Sequence, residues 1–341
     1  PTTVPGSVTG GTTICAGNTS AVLTLSGNTG TVVKWQSAVS PFTTWTDIAN
    51  TATTYTSGIL TATTQFRAVV QSGSCSADNS TATTVTVDPV SVGGSVTGGT
   101  TICSGTASGV LTLSGYTGAI VRWESSISPF TAWTPIVNTA TTYTASSVSQ
   151  ATQFRAVVQS GSCSEAYSAA TTVDVYPGAA GGSVTGGSHV CMGSTSDVLT
   201  LSGHSGTIVR WESSVSPFTT WTTINNTATT YTSGSLSETT QFRVALQNGT
   251  CPNVYSTPAT VTVDPASIGG SISGGTTICA GNTSGTLTLS GNTGTVVKWQ
   301  SAVNPFNVWV DIANTANTYV SGALNEATQF RAVVQSGVCA Q

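Results

Sequence analysis

Eight cysteines are the residues here best suited to covalent chemistry, and they fall into two series. One is Cys15, Cys103, Cys191 and Cys279; the other is Cys75, Cys163, Cys251 and Cys339. Each series advances by 88 residues. Two cysteines per period, in strand-forming surroundings, read as disulfides made in an oxidising place. Pairing within a period joins Cys15–Cys75, Cys103–Cys163, Cys191–Cys251 and Cys279–Cys339. Each such bridge closes a loop of about sixty residues and contributes ~4 kcal/mol through the entropy of the unfolded chain. The rival pairing joins neighbours, as Cys75 with Cys103, and leaves Cys15 and Cys339 without partners. Parity favours the first arrangement. Zinc is not indicated, because no C-x-x-C occurs and both histidines, His189 and His204, lie in one period.

Catalysis requires groups that titrate or attack, gathered in one pocket. The two histidines replace residues such as Thr13 and Asn28 of a sister period and read as surface drift. The serines have no base beside them in any recurring motif, so a non-enzyme is expected, with no cofactor. Calcium needs clustered carboxylates, whereas the 12 acids are scattered. Asp88 and Asp264 precede prolines, but Tyr176 fills the same place between them.

The aromatic loop "SPFTTW" (Ser40–Trp45) recurs as "SPFTAW", "SPFTTW" and "NPFNVW". Its Phe42 and Trp45, with Phe130 and Trp133, Phe218 and Trp221, and Phe306 and Trp309, either pack over a domain end or form a contact loop. A contact loop of this kind would stack on sugar or meet another chain. Every basic residue falls into one of two series: Lys34, Arg122, Arg210 and Lys298, or Arg67, Arg155, Arg243 and Arg331. Facing outward on neighbouring strands, they make cross-strand pairs worth under ~1 kcal/mol, or a row of docking points for an acidic polymer.

The elements that position these groups follow from the same period, and such self-similarity marks a repeat architecture. Tryptophans step from 35 to 299 and from 45 to 309, and prolines from 1 to 265, with no insertion or deletion. Four units are expected, at 1–88, 89–176, 177–264 and 265–341. In the first, residues 21–27, 31–37, 64–71 and 82–88 are Val-, Thr- and aromatic-rich runs bounded by turn residues, which predicts strands. Leu23 and Leu25 face one way and Thr24 the other. Val33 and Trp35 share a face away from Lys34, and Phe66, Ala68 and Val70 share one away from Arg67. Seven or so short strands per unit predict an all-β chain, a tandem array of four immunoglobulin-like β-sandwich domains. Trp35 is expected in the core, beside Tyr55 and Phe66. Short linkers predict a semi-rigid rod. The fourth unit lacks its last strand, and its open edge is expected to be filled by continuation of the chain or by a strand from another molecule.

Charged residues are only 6 % of the chain and the net charge is −4. No basic run is present to neutralise phosphates, so nucleic acid is not an expected partner. No apolar run reaches the roughly 18 residues of a membrane span, and no signal peptide opens at Pro1. The sequence begins and ends in mid-pattern and reads as a window of a longer chain. The strings "GGTTICAGNTSAVLTLSGNTGTVVKWQS", "WTDIANTATTYT" and "TATTQFRAVVQSGSC" resemble the tandem Ig-like repeats of very large secreted surface proteins of Flavobacterium-type Bacteroidetes. That class includes gliding-motility-associated adhesins exported by type IX secretion, although the sorting domain of such proteins does not occur here. The resemblance implies an extracellular, cell-surface location and a structural or adhesive role as stalk or filament. Partners would be other copies of the chain or surface polysaccharide, and the alternative function is a multivalent glycan-binding array.

Overall fold

The computed structural model describes every residue from Pro1 to Gln341 and consists of strands and loops without helices. It forms two compact units, Pro1–Tyr176 and Pro177–Gln341, each holding two repeats. In the first repeat nine strands are β1 (Ser7–Thr9), β2 (Thr13–Cys15), β3 (Leu23–Ser26), β4 (Thr31–Val39), β5 (Thr46–Ile48), β6 (Thr54–Tyr55), β7 (Thr64–Gln71), β8 (Asp78–Asn79) and β9 (Thr83–Asp88). One sheet has the order β1-β3-β6 and the other β2-β9-β7-β4-β5, with β8 on β7. All pairings are antiparallel except β2 on β9, where Ile14 lies opposite Val87 and Cys15 opposite Asp88. The two sheets face each other as an immunoglobulin-like sandwich, and the arrangement recurs in the next two repeats.

The expected core is present. Trp35 is fully buried with Leu23, Leu25, Phe66, Ala68 and Val70. Its ring lies 5.6 Å from that of Tyr55, which is 5.7 Å from Phe66. A buried indole N–H needs an acceptor, and Trp35 Nε1 donates to the Ala52 carbonyl at 2.9 Å. The motif "NTA" fixes that carbonyl, since Asn50 Oδ1 accepts from Ala52 N at 2.7 Å. The same pair of bonds serves Trp123, Trp211 and Trp299. Ser20 and Ser57 tie the loops together reciprocally, each hydroxyl accepting the other's backbone N–H.

One facing differs from expectation. Val33 does not share the core face of Trp35. The register slips between Val32 and Lys34, so Val33 is the extra residue of a β-bulge and points outward, while Val32 is buried. A bulge shifts the alternation by one residue, and the same slip occurs in every repeat.

The fourth repeat differs from the other three in its larger sheet. Its larger sheet has three strands, Val310–Ile312, Thr295–Val303 and Thr328–Gln335. Thr328–Gln335 pairs only with Thr295–Val303, and residues 277–279 are not a strand, unlike their counterparts 13–15. Phe330 and Ala332 are only partly buried, where Phe66 and Ala68 are fully so.

Candidate functional site

The most distinctive chemistry of the chain lies where one repeat meets the next. The bridges observed are Cys15–Cys163 and Cys191–Cys339, each spanning 148 residues, with Cα atoms 4.7 and 4.9 Å apart. This corrects the expected pairings Cys15–Cys75, Cys103–Cys163, Cys191–Cys251 and Cys279–Cys339. It also excludes the neighbour pairing of Cys75 with Cys103. Cys103 and Cys251 are disulfide-bonded as well, and Cys75 and Cys279 are free thiols. In each of these two bridges the first cysteine of one repeat is bonded to the second cysteine of the repeat after it. The physical reason is placement. Cys15 ends β2, beside the last residues of β9, and the chain there passes straight into the next repeat. Cys163 lies in that repeat, its Sγ 3.2 Å from the Pro89 carbonyl oxygen.

Polar contacts seat the joint. Asp88 closes β9, and its Oδ2 accepts from the backbone N–H of Ser162 at 2.8 Å and from its hydroxyl at 3.1 Å. Gly161 must be glycine, because it has φ +47° and a Cβ there would overlap the Asp88 carboxylate. The second unit repeats the device: Asp264 Oδ2 accepts from Val338 N at 3.0 Å, with Gly337 in the role of Gly161. His189 Nδ1 also lies 3.3 Å from Asp264 Oδ1. The Val338 hydrogen bond, and then His189, hold the Asp264 carboxyl below its ordinary pKa. In the first repeat Gly73 holds the matching position, with φ +55°. Nothing approaches the Cβ direction of Gly73, and the Cys75 sulfur is 3.6 Å from the Pro1 carbonyl.

The aromatic loops sit at the turn from β4 to β5. Val39 to Phe42 form a turn with a cis Ser40–Pro41 bond, closed by Phe42 N–H to the Val39 carbonyl at 2.7 Å. Phe42, Phe130, Phe218 and Phe306 all have φ near +60°. These residues and Trp45, Trp133, Trp221 and Trp309 are half-buried. One face of each of these tryptophans is covered, since the guanidinium of Arg67 lies 3.9 Å from the centre of the Trp45 ring. Arg155, Arg243 and Arg331 cover Trp133, Trp221 and Trp309 in the same way. In the middle repeats Tyr167 and Tyr255 close the other side of the arginine. The aromatic partner of Arg67 was not foreseen, although the matching recurrence of Trp45 and Arg67 carried the signal.

The cross-strand pairing of the basic residues is real, and it resolves the irregular acids. In the first repeat Lys34 bonds Asp47 Oδ2 at 2.7 Å, Gln36 donates to Asp47 Oδ1, and Arg67 donates to Gln36 Oε1. The fourth repeat does the same with Lys298, Asp311, Gln300 and Arg331. In the second repeat the carboxylate moves to the glutamine position: Glu124 is buried and takes Arg122 and Arg155 on its two oxygens. Glu212 does so with Arg210 and Arg243 in the third. Glu165, and then Glu124, raise the pKa of the Arg122 guanidinium.

Neither histidine is joined by two further metal-ligating side chains, and no group of three such residues is brought together anywhere. Disulfides persist in oxidising surroundings, which points to an extracellular chain.

A family model described as a domain of unknown function, DUF8696, matches residues 4–89, 92–177, 180–265 and 268–341. A search of curated proteins finds no match. Among solved structures, a three-domain immunoglobulin segment of titin, in an E-to-A variant, aligns at 9 % identity and TM-score 0.43, over 74 % of this chain and 94 % of that one. The FN1–FN3 domains of chicken CNTN1 align at 14 % identity and TM-score 0.28, over 76 % and 98 %. Extracellular domains 3–5 of Drosophila OTK align at 10 % identity and TM-score 0.30, over 77 % and 96 %. With nearly its whole length covered by four consecutive matches, the chain belongs to the DUF8696 family.

Proposed function

We propose that this chain is a non-catalytic, load-bearing section of an extracellular stalk or filament at the cell surface, with adhesion as its role. The observation that carries the reading is the bond from Cys15 of one repeat to Cys163 of the next. Tension entering near Cys15 passes to Cys163 through covalent bonds and bypasses the two sandwiches between them. A glycine-lined socket and an aspartate hydrogen-bonded across the joint add stiffness there. Low charge and Thr/Ser loops suit a surface exposed to proteases, and all eight basic residues lie within strands. The resemblance of its repeat strings to those of gliding-associated, type IX-exported adhesins is in keeping with this placement. Two results test this reading: antibody labelling of intact, unpermeabilised cells, and an extension under force that is set by the oxidation state of the cysteines. Intracellular labelling alone would overturn it.

A further inference from the structure

Resting on that reading, we propose that Arg210 of the third repeat is a carboxylate-binding site whose ligand is a uronate unit of an acidic polysaccharide. The guanidinium edge takes the carboxylate, and the exposed ring of Tyr255 takes the sugar. A surface polymer of such units is then a partner of the adhesive stalk.

The second repeat shows what this frame holds. Arg122 Nε donates to Glu124 Oε1 at 2.9 Å, while its Nη1 and Nη2 donate to Glu165 Oε1 and Oε2 at 2.7 and 3.0 Å. A guanidinium fork on both oxygens of a carboxylate is the strong form of this pair. Arg122, Val157 and Tyr167 lie opposite one another on adjacent strands and so share the outer face of the sheet. Arg210, Ala245 and Tyr255 form the same row in the third repeat. There, however, Asn253 stands in the place of Glu165. Asparagine is uncharged and one methylene shorter than glutamate. Arg210 bonds only Glu212, with Nε at 2.8 Å and Nη2 at 2.6 Å from Oε1, and its Nη1 has no partner.

Charge and surface define the ligand. Arg122 and Arg155 are balanced by Glu124 and Glu165, whereas Arg210 and Arg243 share only Glu212 and keep one positive charge. An anion is therefore favoured at the unpaired edge. Tyr255 is 42 % exposed although Arg243 lies 3.9 Å from its ring centre on one face. Its Cα is two strands from that of Arg210, about 10 Å away, which spaces the phenol and the guanidinium for one sugar ring. A protein carboxylate would use the guanidinium and leave the tyrosine idle, while a hexuronate engages both. Lys34 and Lys298 do not offer the same fork, since each is a single ammonium already bonded to Asp47 or Asp311.

The test uses the intact, oxidised chain and trigalacturonate, with NMR of the Arg210 side chain and the Tyr255 ring. Saturable binding at one site is expected, with both residues shifted and the affinity falling in high salt. The methyl-esterified trimer should bind roughly tenfold or more weakly. Asn253→Glu supplies the carboxylate from within the chain and should abolish binding. Glu165→Asn should do the reverse in the second repeat, raising the stoichiometry from one trimer to two. Absence of binding, binding that survives Asn253→Glu, an unchanged stoichiometry in Glu165→Asn, or equal binding of the ester overturns the proposal. Equal or tighter binding of a triglutamate peptide overturns it too, because the ligand would then be a protein carboxylate. None of those outcomes bears on surface labelling or on load transfer through Cys15–Cys163, so the two readings fail separately.

Discussion

Cys15 is bonded to Cys163 across 148 residues, while Cys75 of its own repeat stays a free thiol. That relationship turns neighbouring sandwiches into one covalently closed pair. A loop of this length stabilises the fold by roughly 5 kcal/mol through restriction of the unfolded chain. Replacing Cys15 with serine should therefore destabilise the first and second repeats together. Denaturant unfolding under non-reducing conditions would show a cooperative loss from both, where an intra-repeat bridge would weaken one alone.

The socket at Gly161 gives a sharper contrast. Gly161→Ala places a methyl group against the Asp88 carboxylate and strains a positive φ, so a loss of about 2–4 kcal/mol is expected. Gly73→Ala, at the matching position of the first repeat, meets nothing within 4 Å in this chain and should cost only about 1 kcal/mol, from backbone strain. Equal losses in urea titrations would argue against the aspartate–socket contact.

Repeats carry their own controls for the buried carboxylates. Glu212→Gln leaves Arg210 and Arg243 without their shared carboxylate and should cost about 3 kcal/mol. Thr223 lies opposite Glu212 as Asp47 lies opposite Gln36. Adding Thr223→Asp rebuilds the arrangement of the first repeat and should recover most of the loss. Failure of that rescue, read from paired thermal melts, would mean the two arrangements are not equivalent.

Two serines are out of place. The hydroxyls of Ser126 and Ser214 are buried without a partner, where the first and fourth repeats have Ala38 and Ala302. An unsatisfied buried hydroxyl costs on the order of 1 kcal/mol or more. Ser214→Ala should leave stability unchanged or raise it by about 1 kcal/mol, whereas Ser20→Ala, which breaks a reciprocal pair, should lower it.

Acid sensitivity follows from the depressed carboxyls. Asp47 is held below its ordinary pKa by Gln36 and Lys34, Asp311 by Gln300 and Lys298, Glu165 by Arg122, and Asp264 by the Val338 amide and His189. A carboxyl lowered in the folded state contributes stability above its unfolded pKa and loses it as pH falls through the folded value. Stability should therefore be level above about pH 5 and decline below about pH 4. These groups lie near solvent, so the decline should shrink in high salt. Thermal melts across pH 7 to pH 2.5 at two salt concentrations check both points.

Much of this architecture was legible because it is local to one repeat. Alternation places Leu23, Leu25 and Phe66, and the recurrence of Trp35 with Tyr55 marks the core. The bulge at Val33 leaves no composition signal, since valine suits either face of a strand. Disulfide connectivity was hidden for a different reason. A strict period makes pairing within a repeat and pairing to the next look alike, and parity treats an unpaired terminal cysteine as an error. Here Cys75 and Cys279 are both unpaired. The socket for Asp88 was equally hidden, because its parts come from two repeats and meet only once both have folded.

The central claim is that tension runs through the bridges between repeats, and stretching single molecules from both ends tests it most directly. In the oxidised state the residues between Cys15 and Cys163, and between Cys191 and Cys339, should stay locked. Reduction should then add roughly 500 Å of contour length for each of these two bridges. The same contour length before and after reduction would contradict the account, and so would four equal gains, each from a loop of about sixty residues.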